Sequence, residues 1–319
     1  LPPIQNYTEP LDWAKENINQ AGGISGRPIE LVWTNPEAED VLDAAQRFLD
    51  DDAILAVIGP ETSSHTHEMA GWFIAKGKVL ISATSTSSSI FKYFGGQDFI
   101  WRTLESDVAQ LRTMFVVAAT SGAQSVALIT STEPYGTTFY DWLGFFATEF
   151  DMTVTAIEQY DQEAEPCDGL MEAVLAGEPS MVFAIPESAA TAICMVEQGS
   201  GAAQGTRVLF SDGAAAYKQE IIDALGSQAD GIEGMSLASD PVSGFEYMYR
   251  KRFGHNALTS ASNAYDALAL LAYGLERSGG EGGAALAAAM KEVVDGRETA
   301  TGWDEEGIAQ TLEEIRGGA

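Results

Sequence analysis

Three hydroxyl-rich segments and two isolated acids are the groups of this chain best suited to hold a small polar molecule. The segments are Pro60-Glu61-Thr62-Ser63-Ser64-His65-Thr66, the run from Ser82 to Ser89 (with Thr84, Ser85 and Thr86 inside it), and Thr130-Ser131-Thr132-Glu133-Pro134-Tyr135-Gly136. Each follows an apolar run that reads as a buried strand. Short hydroxyls and unpaired N–H groups at helix starts suit a carboxylate, because the helix dipole favours an anion there. Ser63, Ser64, Thr84, Ser85 and Thr86 are therefore candidate ligand contacts. Ser63 and Ser64 read equally as N-caps, and the two roles are compatible. Tyr135 offers an amphipathic wall to a ligand, or packs on its own lobe. Glu187 ends a strand and suits an ammonium group, although a solvated loop acid is its plainer reading. Asp212 reads on propensity as the N-cap of a helix from Ala214.

Signatures of catalysis are missing from the sequence. There is no G-x-x-x-x-G-K-[ST], no G-x-G-x-x-G after a strand and no G-x-S-x-G. His65 and His67, two residues apart, fall on different helix faces, and the third histidine is His255. No catalytic residue, metal or cofactor is expected. Cys167 and Cys194 make neither a zinc spacing nor a redox motif. Free buried thiols are the favoured expectation, and one disulfide in an exported protein is the alternative.

The elements that must position these groups alternate. Pro28–Trp33, Ile54–Ile58, Val79–Ala83, Ser125–Thr130, Met152–Glu158, Met181–Ile185 and Arg207–Phe210 read as strands. Helical patterns lie between them: Glu37–Asp51, Thr66–Lys76, Val108–Ser121, Gly136–Glu149, Asp168–Ala176, Ser188–Gln198 and Ala214–Leu225. Buried strands alternating with helices imply an α/β fold with parallel sheets. Beyond Gly234 helices dominate, at Val242–Phe253, Ser260–Ser278, Gly283–Val294 and Glu305–Arg316. Arg102 is expected to have a structural role. The 319 residues suit two lobes, with the late helices packing back on the first. The 17 Lys+Arg against 47 Asp+Glu give a net charge of −30, which repels nucleic acid and anionic lipid as partners. The most apolar run, Ala267–Leu275, is too short to span a bilayer. Any export signal is expected to have been removed before Leu1.

Ile18-Asn19-Gln20-Ala21-Gly22-Gly23-Ile24-Ser25-Gly26-Arg27-Pro28-Ile29-Glu30-Leu31 resembles a segment of the type I periplasmic binding proteins, the leucine/isoleucine/valine-binding relatives that serve ABC importers. Val57-Ile58-Gly59 with Ser63-Ser64, Ile81-Ser82-Ala83-Thr84, Trp101-Arg102-Thr103 with Ser106-Asp107, Tyr135-Gly136, Tyr249–Gly254 and Ala264-Tyr265-Asp266-Ala267 follow in that family's order. The likeness covers nearly the whole chain, and its specificity lies in the ordered set. It implies two Rossmann-like lobes joined by a hinge, residues 1–105 plus 239–319 and residues 106–238, with a ligand cleft between them. It further implies that Ser63 and Thr86 bind a ligand carboxylate, and that Thr84 and Thr86 help hold its amino group. Tyr135 and Glu187 would sit on the opposite lobe. Asp212 would meet the ammonium, which moves it from cap to ligand contact.

The resemblance thus implies a periplasmic or extracellular solute-binding protein, with a lipid anchor before processing as a variant. It would be a monomer that closes on an amino acid or similar small carboxylate and is read by an ABC permease in the membrane. A ligand-sensing regulator of the same fold is the rival expectation, and an α/β enzyme the weaker one. The chain departs from the family in opening at Leu1-Pro2-Pro3, almost in the first helix, and in lacking closing strands after Gly318; a trimmed chain is expected. Glu187 stands where branched-chain binders commonly carry an aromatic, which argues against a purely aliphatic ligand.

Overall fold

A computed structural model describes residues 5–35, 38–162, 167, 169–199, 206–296 and 302–318. The chain divides into two compact units, one of residues 1–85, 90–104 and 238–319, the other of residues 86–89 and 105–237.

The first unit holds a parallel sheet ordered β1-β2-β3, from Ala56–Ile58, Val79–Ser82 and Ile100–Arg102. Its helices are α1 (Gln5–Gln20), α2 (Val41–Asp50), α3 (Ser63–Lys76), α11 (Phe245–Phe253), α12 (Ala261–Arg277), α13 (Gly283–Val294) and α14 (Glu305–Arg316). A further helix, α4 (Ser88–Phe94), begins in the serine run. Successive side chains of a strand face opposite ways. Val79 and Ile81 accordingly join the core under α1 and α12, whereas Leu80 packs with Met69 and Phe73 of α3. Trp13 of α1 lies 5.5 Å from the rings of Phe245 and Tyr265, which ties the start of the chain to its late helices. Lys78, mostly buried, donates from Nζ to Phe48 O at 2.6 Å and Asp51 O at 2.8 Å, satisfying carbonyls at the end of α2.

The second unit carries five parallel strands in the order β5-β4-β6-β7-β8: β4 Ser125–Ser131, β5 Thr153–Tyr160, β6 Met181–Ala184, β7 Arg207–Phe210 and β8 Glu233–Gly234. Val126 and Leu128 face α5 (Asp107–Thr120) and α6 (Pro134–Glu149), packing on Phe115, Phe139 and Phe146. Ala127 and Ile129 face α7 (Leu170–Leu175) and α8 (Ala189–Gly199), packing on Met171, Val174 and Met195. After β7 come α9 (Asp212–Ala216) and α10 (Lys218–Leu225). The α/β class with parallel sheets is as the alternation implies.

The structure corrects several element readings. Pro28–Trp33 is not a strand. Ile29 and Leu31 do turn toward the core, but the segment has no strand partner among the described residues, and Val32 is 55% exposed. Among the described residues, the sequence patterns do not give α1, which only the resemblance implied, nor β3 and β8, too short to show a period, nor α4, whose first turn is serine. Helix α3 begins at Ser63 because Thr62, not Ser63 or Ser64, is its N-cap, accepting from His65 N–H. Glu37 and Asp168, included in two expected helices, lie outside the described residues. Arg102 places its guanidinium 4.4 Å from the Phe91 ring centroid, a cation–π contact.

The cysteines are not free thiols. Cys167 and Cys194 are joined by a disulfide, which fastens the segment before α7 to α8 across 27 residues. A loop of that length withdraws roughly 3–4 kcal/mol of chain entropy from the unfolded state. Reduction, or Cys167→Ser with Cys194→Ser, should lower unfolding stability by an amount of that order in denaturant titrations. An unchanged midpoint would contradict it.

In the first unit the Gly22–Arg27 turn is closed from a distance. Gly23 has φ +69°, and a Cβ there would lie 2.1 Å from Arg27 O. Glu276, at the end of α12, accepts from Ser25 N–H at 2.7 Å and Arg316 Nε at 3.0 Å, and Arg316 also donates to Gly23 O at 3.1 Å. Burial pushes the Glu276 carboxyl up, but Arg316 and the Ser25 N–H outweigh it and leave it below the usual range. Its stabilising contribution is therefore complete above the ordinary carboxylate range and is lost as pH falls through the lowered value. Glu276→Gln should cost about 1–3 kcal/mol at neutral pH. Its deficit against wild type should shrink in acid, as a pH series of melts would show.

Candidate functional site

In the first unit, adjacent strands β1 and β2 end beside one another, and the loops leaving them carry Ser63, Ser64, Thr84 and Ser85. Much of this hydroxyl chemistry is spent on the loops themselves. Ser85, fully buried, stands 2.7 Å from Thr66 Oγ1 and 2.9 Å from Ser82 Oγ, with Thr62 O at 3.1 Å. Its hydroxyl locks the two loops together. Thr84 Oγ1 donates to Glu61 O at 2.6 Å and accepts from the Tyr7 hydroxyl at 2.6 Å. Ser63 is buried in the first turn of α3 and Ser64 is half-buried beside it. Thr86, buried, belongs to the second unit, where its carbonyl accepts from Asp107 N–H at 3.0 Å.

The second unit assembles a tighter group. Chain order reverses between β4 and β6, since β5 lies on the far side of β4. Helices leaving such a switch point go to opposite faces and open a crevice at the strands' carboxyl ends. Tyr135 follows β4, Glu187 follows β6 and Asp212 follows β7. Asp212 Oδ1 accepts from Tyr135 OH at 2.6 Å and from Gln110 Nε2 at 2.7 Å. Gln110 Oε1 in turn accepts from Asp212 N–H at 3.0 Å, so the acid is gripped at side chain and backbone. Asp212 is not the N-cap: it is the first residue of α9, and Ser211 holds the cap position. Gly213 lies against Pro186, where a Cβ would stand 2.1 Å from the carbonyl oxygen.

Glu187 is held as closely. Ser131 Oγ donates to its Oε1, its N–H donates to Tyr160 OH at 3.2 Å, and Tyr217 OH donates to its carbonyl at 3.2 Å. Burial raises the Asp212 carboxyl, and the Tyr135 and Gln110 donors recover only part of that. Burial likewise raises Glu187, Ser131 opposing it and the charge of Glu133 adding to it. The Tyr135 hydroxyl is pushed well up by burial and by Asp212 and Asp107. No Lys, Arg or His side chain forms an ion pair with Asp212 or Glu187 among the described residues. The group is acidic and its donors are neutral, which suits a cation.

Gln110 and Ser131 were not singled out from sequence. Ser131 stood in a quoted loop, but Gln110 lies inside a helical pattern with no motif around it. Among the described residues no cluster of His, Cys, Asp and Glu could hold a metal ion. His65 Nδ1 is 2.9 Å from Thr62 Oγ1, while the His67 ring meets Tyr93 and Phe94 edge-on. The first unit also contains an apolar cavity of about 140 Å³ between residues 31–34 and β1, lined by Val41, Phe48, Val57 and Met69 with Tyr7 and Glu61 at its polar end. None of the eight candidate residues lines it.

Two units built on parallel sheets, each with polar groups at the strands' carboxyl rim, are those of a solute receptor of the α/β class. The chain belongs to the periplasmic binding protein family, matching its sequence profile over residues 6–302. It is similar to BasB, a chemotactic signal transduction system substrate-binding protein of Halobacterium salinarum, at 25% identity over 91% of this chain and 70% of the relative. Among solved structures it resembles the leucine-binding protein LivK of Thermotoga maritima, with TM-score 0.73 and 19% identity over 97% of this chain and 83% of that one. LivJ of Streptococcus pneumoniae, in complex with isoleucine, gives TM-score 0.74 and 22% identity over 90% and 82% of the two chains. The fold is thus the type I periplasmic binding protein fold of the leucine-binding class. Members of the family are extracytoplasmic ligand receptors rather than catalysts. No helix among the described residues is long and apolar enough to cross a membrane.

The grip on Asp212 yields a direct check. Gln110→Leu removes a donor from Oδ1 and the acceptor of the Asp212 N–H. It should cost about 1–3 kcal/mol in thermal or denaturant unfolding. Full retention of stability would show that Gln110 does not support the acid.

Proposed function

We propose that this protein captures an α-amino acid outside the cytoplasm for an ABC importer, with Asp212 receiving the ammonium group. The single observation that carries this is Asp212 itself, 8% exposed, held by Tyr135 and Gln110 and lacking a cationic partner among the described residues. An ionised carboxylate so placed is costly until a cation reaches it. On this reading Ser63, Ser64 and Thr86 receive the ligand carboxylate, while the backbone of Thr84 and the side chain of Thr86 help hold its amino group. Ser85 supports that loop, and Tyr135 and Glu187 complete the ligand's surroundings. A ligand that contacts both units favours whichever arrangement permits both sets of contacts, and a membrane permease can recognise that arrangement. A monomeric receptor is part of the proposal, as is the option of a lipid anchor. The disulfide is in keeping with an oxidising compartment. Similarity to BasB along most of the chain favours a second reading, in which the same capture feeds a chemotactic transducer instead of a permease.

A thermal-shift screen of amino acids against simple carboxylates tests the ligand class, since a ligand that binds only the folded state raises the melting temperature. Asp212→Asn should weaken amino-acid binding by about 2–5 kcal/mol in calorimetry and leave a simple carboxylate nearly unaffected. Equal losses for both would remove the ammonium assignment. Because burial raises the Asp212 carboxyl, amino-acid affinity should fall as pH drops through that raised value, the protonated acid having no charge to offer. Flat affinity across the acid range would count against it.

A further inference from the structure

The ammonium of one zwitterion answers one acid, and at the ends of β6 and β7 the second unit presents two, half-buried Glu187 and buried Asp212. Asp212 and Glu187 follow neighbouring strands β7 and β6, joined where Gly213 lies against Pro186. Glu187 is no loose surface acid: Tyr160 and Tyr217 pin its backbone, and Ser131 orients its carboxyl. Glu133, whose N–H donates to Ser131 Oγ at 3.2 Å, adds further negative charge nearby, and the buried Asp107 acts on Tyr135. Residues 86–89 and 105–237 contain three Lys or Arg, namely Arg112, Arg207 and Lys218. Arg112 pairs with Glu149 at 3.3 Å, Arg207 pairs with Glu233, and Lys218 is exposed. None is committed to the rim. An aliphatic side chain set against Glu187 would bury this carboxylate further without a counter-charge, a cost with no return.

We infer that the ligand carries a second positive charge on its side chain, received by Glu187, so that the substrate class is basic amino acids rather than branched-chain ones. This rests on the amino-acid reading above and refines it. The ammonium or guanidinium of a lysine, ornithine or arginine would meet the Glu187 carboxylate while its α-ammonium meets Asp212. Selectivity over leucine arises because the neutral chain leaves a desolvated acid unanswered.

The test is calorimetric titration of the intact chain with lysine, ornithine, arginine, leucine and methionine, repeated on Glu187→Gln. Wild type should bind at least one basic amino acid about tenfold or more tighter than leucine, a modest factor because Glu187 keeps some solvent contact. Glu187→Gln should erase that preference by weakening the basic amino acids while leucine and methionine bind no more weakly than before, as loss of one charge partner and of an unanswered acid predicts. Glu187→Asp, which keeps the charge, should retain part of the preference, and circular dichroism melts confirm that both variants fold. Leucine binding as tightly as every basic amino acid, or an equal loss for all ligands in Glu187→Gln, overturns the inference and leaves amino-acid capture standing. Binding of no amino acid at all overturns both.

Discussion

A buried carboxyl with no ion-pair partner among the described residues governs the second unit. Asp212 is tolerable there because a phenol, an amide and a backbone turn are arranged around it, each contributing a fraction of what bulk water would. That arrangement dictates much else. Tyr135 must start α6 with its hydroxyl turned toward β7, Gln110 must project from α5, and residue 213 must be glycine for the turn to press on Pro186. The parallel sheet brings these pieces together from positions about a hundred residues apart, as the Gln110–Asp212 separation of 102 shows. A rigid layered fold is what makes such a costly group placeable.

The two rims divide the work differently. In the first unit hydroxyls mostly bind hydroxyls and carbonyls of the same loops, so Ser82, Ser85 and Thr66 give shape more than they give free donors. In the second unit the side chains are charged and their partners neutral.

Much of the scaffold is legible because burial on both faces forces continuous apolar runs: Val79–Ser82 and Met181–Ala184 could hardly be anything but interior strands. Legibility fails where the deciding partner is remote. Pro28–Trp33 has a strand's composition, but a ladder requires a neighbour, and composition cannot supply one. Ile100–Arg102 is three residues long, below any period. Ser88–Phe94 is helical although serine opens it, its start secured by Thr138 Oγ1, which accepts from Ser88 N–H at 3.0 Å across 50 positions. The cysteine pair reads either way until α8 is seen beside the segment before α7. At the rim, strand ends drew notice to the acids and Tyr135 but left Glu187 reading as a solvated acid and Asp212 as a cap, and Gln110 drew none, because nothing local distinguishes a helix glutamine that grips an aspartate from one in water.

The closure of the Gly22–Arg27 turn by Glu276 and Arg316 has a consequence for how the molecule is made. Residues 105–237 contain nearly all of the second unit in one continuous stretch, so it can complete its core soon after leaving the ribosome. The first unit has no such option. Its helix α1 packs on Phe245 and Tyr265, and the glycine turn behind it is closed by Glu276 and Arg316, all of them encoded after the second unit. An early-made amphipathic helix thus waits across the whole second unit for the surface that buries it, and the order of assembly is written into where those partners sit.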